Sequence, residues 1–98
     1  MMIKRIVRMQ FRKKKVPMFL EIFRETCEDI RGTDGCLYLE LLQDSKDPAT
    51  YFTLSVWRDK AALKAYRSSD LFVKTWKRTR RLFRRSARAW STTSYITL

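Results

Sequence analysis

The side chains of this chain that could take part in chemistry are aromatic, phenolic, guanidinium and thiol groups, because the sequence contains no histidine. A Ser-His-Asp or Cys-His arrangement therefore cannot be assembled, and imidazole cannot serve as a general base. The only glycines, Gly32 and Gly35, lie outside any dinucleotide-binding or phosphate-binding loop pattern. Hydride-transfer and phosphoryl-transfer enzymes that depend on those loops are thus excluded.

The two cysteines, Cys27 and Cys36, are nine positions apart, one on a predicted helix and one on a predicted strand. This spacing is not that of a disulfide framework, and no CxxC pattern is present. Without histidine, and without a suitably spaced group of Asp and Glu residues, a zinc site is improbable. We therefore expect no metal ion.

The length and composition indicate one globular domain over residues 1–98. Apolar residues make up 45% of the chain, which is sufficient for a hydrophobic core. No apolar run approaches the ~18 residues of a membrane span. Because the N-terminus alternates charged and apolar residues, it is not a signal peptide, and we expect a cytoplasmic protein.

The N-terminal third of the chain predicts a strand followed by an amphipathic helix. Ile3 to Phe11 alternates in the manner of a strand, with Arg5 interrupting its apolar face. Pro17 to Arg31 carries an apolar stripe at helical spacing, formed by Phe19, Ile22, Phe23, Cys27 and Ile30. Gly32 is placed to end this helix.

A β-hairpin is predicted next, from Cys36 to Leu42 and from Tyr51 to Trp57, joined by a polar loop through Asp47-Pro48. In the first of these strands, alternation assigns Leu37, Leu39 and Leu41 to one face and Cys36 and Tyr38 to the other.

The rest of the chain predicts a broken helix and a last strand. Asp59 can cap the first helical part, and Ser69 or Asp70 can cap the second. The buried side of the second part is predicted to extend to Leu82 and Phe83. The last strand is predicted over Ala87 to Thr97.

The resulting βαββαβ order predicts an α+β fold of the ferredoxin-like type, a four-stranded antiparallel sheet with helices on one face. The opposite face of the sheet also carries large apolar side chains, which must be covered. A second copy of the sheet is the simplest cover, so we expect a homodimer.

The net charge of +12 is concentrated in the C-terminal half, where residues 50–98 hold twelve Lys or Arg and two Asp or Glu. Most of this excess lies in residues 74–88, predicted as one helix. Such a segment is either a solvated helix face or a surface that binds anions such as nucleic acid. The strand from Tyr51 to Trp57 lacks the glycine and basic lead residue of an RNA-recognition motif. The solvated face is therefore favoured over nucleic-acid binding.

The hairpin and the helix after it resemble a known family. Gly35 to Leu41 (GCLYLEL), Asp47-Pro48, Phe52 to Trp57 (FTLSVW) and Ala62 to Phe72 (ALKAYRSSDLF) are similar to the pattern of antibiotic biosynthesis monooxygenase domains. The resemblance implies a dimeric α+β barrel with a pocket between sheet and helices in each protomer. It also implies cofactor-free oxidation of phenols or quinols by dioxygen, an activity known for some members.

Two positions depart from the family pattern. Tyr66 stands where a histidine is usual, and Trp76 stands where haem-degrading relatives place a histidine. Because an axial ligand is missing, haem degradation is not expected.

Oxygenation without a cofactor requires an apolar enclosure and groups that stabilise a substrate anion. The candidate binding residues are aromatic side chains for the walls, hydroxyls, and arginines for the anion: Trp57, Tyr66, Phe72, Trp76, Tyr38, Tyr51, Arg80 and Arg8. For each aromatic residue the alternative is packing in the core, and for each arginine it is solvation. The expected function is binding or oxidation of a hydrophobic aromatic molecule. The alternatives are a non-catalytic small-molecule-binding or stress-associated module of the same fold, and an anion binder acting through residues 74–88.

Overall fold

Four strands and three helices make up the structure, a computed structural model that describes residues 1–98. The elements in chain order are β1 (Ile3–Phe11), a 3-10 turn (Lys13–Lys15), α1 (Val16–Arg31), β2 (Cys36–Gln43), β3 (Thr50–Trp57), α2 (Lys60–Arg67), α3 (Asp70–Arg80) and β4 (Phe83–Thr92). The strands form one antiparallel sheet in the order β2-β3-β1-β4. The predicted α+β, ferredoxin-like fold is confirmed.

The helix boundaries follow from capping groups that the sequence supplies. The Asp59 carboxylate accepts the Ala62 backbone N–H at 2.8 Å and begins α2. The Ser69 hydroxyl accepts the Phe72 N–H at 3.2 Å and begins α3. Such caps satisfy backbone donors that have no partner within the helix. The short break between α2 and α3 is therefore encoded locally, as predicted.

The turn into β2 requires the glycine at position 35. Gly35 has φ +83°, a conformation that side chains with a Cβ rarely adopt. An added Cβ would also clash with the Cβ of Ala62 on α2. Gly35 thus allows the hairpin and the following helix to approach closely.

The predicted alternation of β2 is wrong at its first residues. The pairing of β2 with β3 shifts between Cys36 and Tyr38, where the strand contains a bulge. Cys36 is consequently buried beside Trp57 on the helix side, whereas Leu37 is 44% exposed. From Leu39 onward the predicted faces hold.

The end of the chain also differs from the sequence prediction. Helix α3 ends at Arg80, so Leu82 and Phe83 lie outside it, and β4 begins at Phe83 rather than Ala87. The strand then ends at Thr92, and Tyr95 and Ile96 are exposed beyond it. The basic segment 74–88 is therefore divided between α3 and β4 instead of forming one helix.

Pairing with β1 determines this outcome. Phe83 lies opposite Phe11, and the backbone N–H of Arg12 donates to the carbonyl of Leu82 at 3.0 Å. Arginine favours helices, but strand pairing and the burial of Leu82 outweigh that local preference.

The helix-facing side of the sheet forms two hydrophobic clusters. One contains Met9, Phe11, Phe19, Ile22, Tyr51 and Leu82, and the other contains Ile3, Cys36, Trp57, Ala62 and Leu63. The indole N–H of Trp57, which is 1% exposed, donates to the Ser55 hydroxyl at 3.0 Å. Met9 of the first cluster and Trp57 of the second both line one cavity.

The opposite side of the sheet carries apolar side chains that no helix covers. Ile6, Leu54 and Val56 are only partly buried there, and Trp90 is 39% exposed. None of the three helices is both long enough and apolar enough to span a membrane.

Candidate functional site

A cavity of about 410 Å³ lies between the sheet and the helices. Its floor is the helix-facing side of β1, β2, β3 and β4, including Val7, Leu39 and Ala89. Its roof comes from α1, α2 and α3, including Ile22 and Thr75. Most of the lining is apolar, and the volume lies in the range of pockets that hold small organic ligands.

One wall of the cavity is a continuous row of aromatic rings. Trp57 stacks on Tyr66 with ring centroids 4.7 Å apart and an interplanar angle of 24°. Tyr66 meets Phe72 edge to face at 5.2 Å, and Phe72 is nearly parallel to Trp76 at 5.9 Å. These separations are typical of favourable aromatic pairs, so each ring helps to fix its neighbour.

The elements position this wall in a simple way. Trp57 is the last residue of β3, and Tyr66 lies on α2 directly above it. Phe72 and Trp76 are four residues apart on α3 and therefore share one helix face. The Ser69 cap fixes the start of α3 and thereby the direction of both rings.

The hydroxyl of Tyr66 is the phenolic group of the cavity. Burial, with a further contribution from Cys36, raises the pKa of Tyr66 to about 12, and the positive charge of Arg5 opposes the rise. The hydroxyl makes no hydrogen bond within the chain. At neutral pH it is consequently a neutral, unoccupied hydrogen-bond donor rather than a base.

The charged side chains of the cavity are all arginines. Arg5 and Arg67 line it, and no Asp or Glu does. Arg88 borders it as well, but its guanidinium carbon lies 5.5 Å from the Trp90 ring centroid on the uncovered face of the sheet, where it pairs with Arg8. Arg5 projects from the helix-facing side of β1, and its Nη1 donates to the Ser91 hydroxyl at 3.0 Å. Burial, together with nearby Arg67, lowers the pKa of Arg5. A guanidinium nevertheless remains charged at physiological pH, so the cavity is electropositive.

Several hydroxyls in the lining are already engaged. Thr26 and Thr79 donate to the carbonyls of Ile22 and Thr75, one helical turn earlier, at 2.9 and 2.8 Å. These bonds satisfy the hydrogen-bonding requirement of the two hydroxyls inside an apolar layer. The chain contains no group of three or more His, Cys, Asp or Glu side chains placed to hold a metal ion.

The structure brings four of the sequence-predicted candidates together and leaves four outside. Trp57, Tyr66, Phe72 and Trp76 all line the cavity. Tyr38 lies on the opposite face of the sheet and donates to a Glu40 carboxylate oxygen at 2.8 Å.

The remaining three candidates occupy other surroundings. Tyr51 is 6% exposed in the core, where its hydroxyl accepts a hydrogen bond from Gln43. Arg80 lies at the end of α3 beside a separate surface cleft. Arg8 lies on the uncovered side of the sheet with its guanidinium carbon 6.0 Å from the Trp90 ring centroid, and its buried Nε has no hydrogen-bond partner. Ligand binding by any of the eight remains a prediction.

The two cavity arginines, Arg5 and Arg67, are not among the sequence-based candidates. The sequence does carry a signal for Arg5, because a charged residue interrupts an otherwise apolar strand face there. Arg67 stands out from no pattern, because it follows Tyr66 among small and polar residues near the end of a predicted helix. Only the packing of α2 over the sheet brings Arg67 to the cavity.

Several solved structures have folds similar to that of this chain. A structure described as an antibiotic biosynthesis monooxygenase has a TM-score of 0.90 and 22% identity, with 96% of this chain and 99% of that chain covered. The protein Rv0793 from Mycobacterium tuberculosis has a TM-score of 0.90 and 16% identity, with 99% and 98% covered. A variant of SnoaB from Streptomyces nogalater, described as a cofactor-independent oxygenase, has a TM-score of 0.87 and 18% identity, with 99% and 96% covered. At these identities the likeness shows the fold.

The sequence itself supplies the family assignment. No curated protein matches the chain. The family model for antibiotic biosynthesis monooxygenase, however, matches residues 2–78, from β1 through most of α3. Since this match covers well over half of the sequence, the chain belongs to the antibiotic biosynthesis monooxygenase family.

Proposed function

We propose that the cavity binds a hydrophobic aromatic molecule of the phenol or quinol type and supports its oxidation by dioxygen without a metal or flavin. The observation that carries this proposal is the aromatic wall with the unoccupied, neutral Tyr66 hydroxyl beside it. Membership of the family, and the likeness in fold to an oxygenase described as cofactor-independent, support the same reading.

The proposed reaction balances with substrate and dioxygen alone. A phenolate transfers electrons to dioxygen, one oxygen atom enters the ring as a quinone carbonyl, and the other leaves as water with two hydrogens from the phenol. The protein would hold the ring in an apolar enclosure and stabilise the phenolate oxygen. Tyr66 suits the second task, because a neutral phenol donates a hydrogen bond to an anion without competing for the proton.

Oxygen uptake with 1,4-dihydroxynaphthalene and anthrone tests the activity, with the uncatalysed rate subtracted. We expect Tyr66→Phe to lower the rate by about tenfold or more, since it removes one donor to the developing anion. Trp76→Ala should weaken binding by opening the aromatic wall. Tyr38→Phe is the matched control, because it removes a phenolic hydroxyl outside the cavity.

The control should retain the wild-type rate. The proposal of oxygenase activity fails if no compound in a panel of quinols and phenols is consumed faster than without protein. It fails equally if Tyr38→Phe and Tyr66→Phe lose the same activity.

A second candidate function is non-catalytic binding of the same class of molecule. It is favoured by one observation: the phenolic group of the cavity has a raised pKa and cannot remove a proton near neutral pH. The substrate would then need to arrive already ionised. Tight binding of a dihydroxynaphthalene without oxygen uptake between pH 6 and pH 9 would select this alternative.

We also propose that a second copy of the chain covers the open side of the sheet. The apolar side chains of Ile6, Leu54 and Val56 support this, as does the unpaired buried Nε of Arg8 on the same face. Burial of such a face is the usual reason for isologous dimers. Sedimentation equilibrium should give twice the 11.8 kDa chain mass, and Leu54→Asp should lower it. A monomeric wild-type protein at micromolar concentration would contradict this proposal.

A further inference from the structure

The charges around the cavity have a single sign. Arg5 and Arg67 line the cavity, an adjoining cleft is lined by Lys60 and Lys64, and neither space is lined by an acidic side chain. The four ion pairs of the chain involve Arg58, Arg78 and Arg84 only, all elsewhere. The cations of the cavity are therefore uncompensated within the chain.

Arg5 is the most informative of these cations. It occupies the apolar, helix-facing side of β1, cross-strand from the buried Ser55. Its one hydrogen bond, to Ser91, leaves most of its N–H groups without a partner in the chain. Partial burial of a guanidinium without a counter-charge costs free energy, and a bound anion would offset that cost.

The position of Arg5 also gives the ligand an orientation. Ser91, which holds the Arg5 guanidinium, lines the adjoining cleft, and Arg67 lines both the cleft and the cavity. Phe72 is likewise shared by the two spaces, and Trp76 lines the cavity but not this cleft. An aromatic ring against the wall would thus have its polar end toward Arg5 and Arg67.

We propose that Arg5 and Arg67 form a subsite for a carboxylate, so that the ligand of this cavity is an aromatic acid rather than a neutral phenol or quinol. The planar guanidinium group matches the two oxygens of a carboxylate, which favours this group over a single phenolate oxygen. The cationic cleft would attract such a ligand before it enters. This inference rests on the proposed function and specifies the substrate class of the same site.

Titration calorimetry at pH 7 with three probes that share one ring system tests the subsite. The probes are 2-naphthoate, which is ionised, 2-naphthol, which is neutral, and 2-naphthyl phosphate. Wild-type protein should bind 2-naphthoate about tenfold more tightly than 2-naphthol, or more, as expected for hydrogen bonds to charged groups. The preference should fall as salt concentration rises.

Substitutions then assign the preference to its residues. Arg5→Gln should abolish the preference for 2-naphthoate while leaving the affinity for 2-naphthol within about twofold, and Arg5→Lys should restore part of it. Arg67→Gln should reduce the preference by severalfold. Arg80→Gln is the matched control, because it removes an arginine beside a different cleft, and it should keep the wild-type preference.

The possible outcomes distinguish the proposal of a carboxylate subsite from the proposal that the cavity binds an aromatic molecule. Equal binding of 2-naphthoate and 2-naphthol to the wild type would overturn the carboxylate subsite but leave the proposed function standing. Tighter binding of the phosphate than of the carboxylate would overturn the assignment of the anion. Binding of none of the probes would overturn both proposals. Because Arg67 is exposed on α2, an unchanged preference in Arg67→Gln would contradict its role without ambiguity from folding.

Discussion

The ionisation of Tyr66 provides a quantitative test of the cavity. Burial raises the pKa of this phenol from an ordinary value of 10.0 to about 12 in the folded chain. In the unfolded chain Tyr66 is solvated and ionises near 10. Between these two values the unfolded state loses the proton first, so the stability of the fold must decrease as the pH rises from 10 to 12.

The magnitude follows from the size of the shift. A rise in pKa from 10.0 to about 12 corresponds to about 3 kcal/mol of differential interaction. At pH 7 the phenol is neutral in both the folded and the unfolded chain, so stability is at its full value below pH 10. The fold loses about this amount of stability as the pH rises through 10 and passes the folded-state value of about 12. Tyr66→Phe removes the ionisable group, and because the hydroxyl has no partner in the chain, it should change stability at pH 7 by less than about 0.5 kcal/mol.

Urea unfolding of both proteins from pH 7 to pH 12 measures this difference. The wild type should lose about 2 to 3 kcal/mol more than Tyr66→Phe over the alkaline range. An ultraviolet absorbance titration should show one of the four tyrosines ionising near pH 12, and that transition should be missing from the variant. Two results would show that Tyr66 is solvated: a missing transition centred near pH 10, or the same dependence of stability on pH in the wild type and the variant. Either result would refute the burial of Tyr66 in the cavity wall.

Two further predictions concern the residues that hold the site in place. Ser55→Ala should destabilise the fold by about 1–3 kcal/mol, because the buried Trp57 indole N–H loses its acceptor. Denaturant unfolding measures this loss. Repeating the substitution in a Trp57→Phe background, which lacks the N–H donor, checks that the lost hydrogen bond is the cause. Gly35→Ala should cost about 2 kcal/mol or more through its positive φ and its approach to Ala62. Gly32→Ala, at a negative φ, should cost clearly less, and equal melting temperatures for the two glycine variants would contradict the explanation.

Much of the fold could be predicted from the sequence because its signals are local. The alternation in β1, the stripe of α1 and the caps at Asp59 and Ser69 each operate within a few residues. The last strand could not be predicted in the same way. Its boundaries depend on pairing with β1, more than seventy residues earlier, and its arginines are as compatible with a helix as with a strand.

The site shows the same division between local and long-range information. The four aromatic candidates in the cavity could be predicted because they lie at the end of a strand and at helical spacing. The candidate Arg8 lies on the opposite face of the sheet, and the alternation of β1 already separates it from Val7 and Met9. Arg5 shares their face, but that it lines a cavity depends on how α2 and β4 pack.

Filling the cavity should abolish ligand binding if the ligand occupies the space between sheet and helices. Ala89 lines the cavity from the exposed edge strand β4, so Ala89→Phe would occupy the space without overfilling the buried core. Ser86→Phe is the matched control, since it adds the same side chain to the same strand outside the cavity. In calorimetric titrations with 2-naphthoate, we predict that Ala89→Phe weakens binding at least tenfold whereas Ser86→Phe binds as the wild type does. Unchanged affinity in Ala89→Phe would show that the space between sheet and helices is not the binding site.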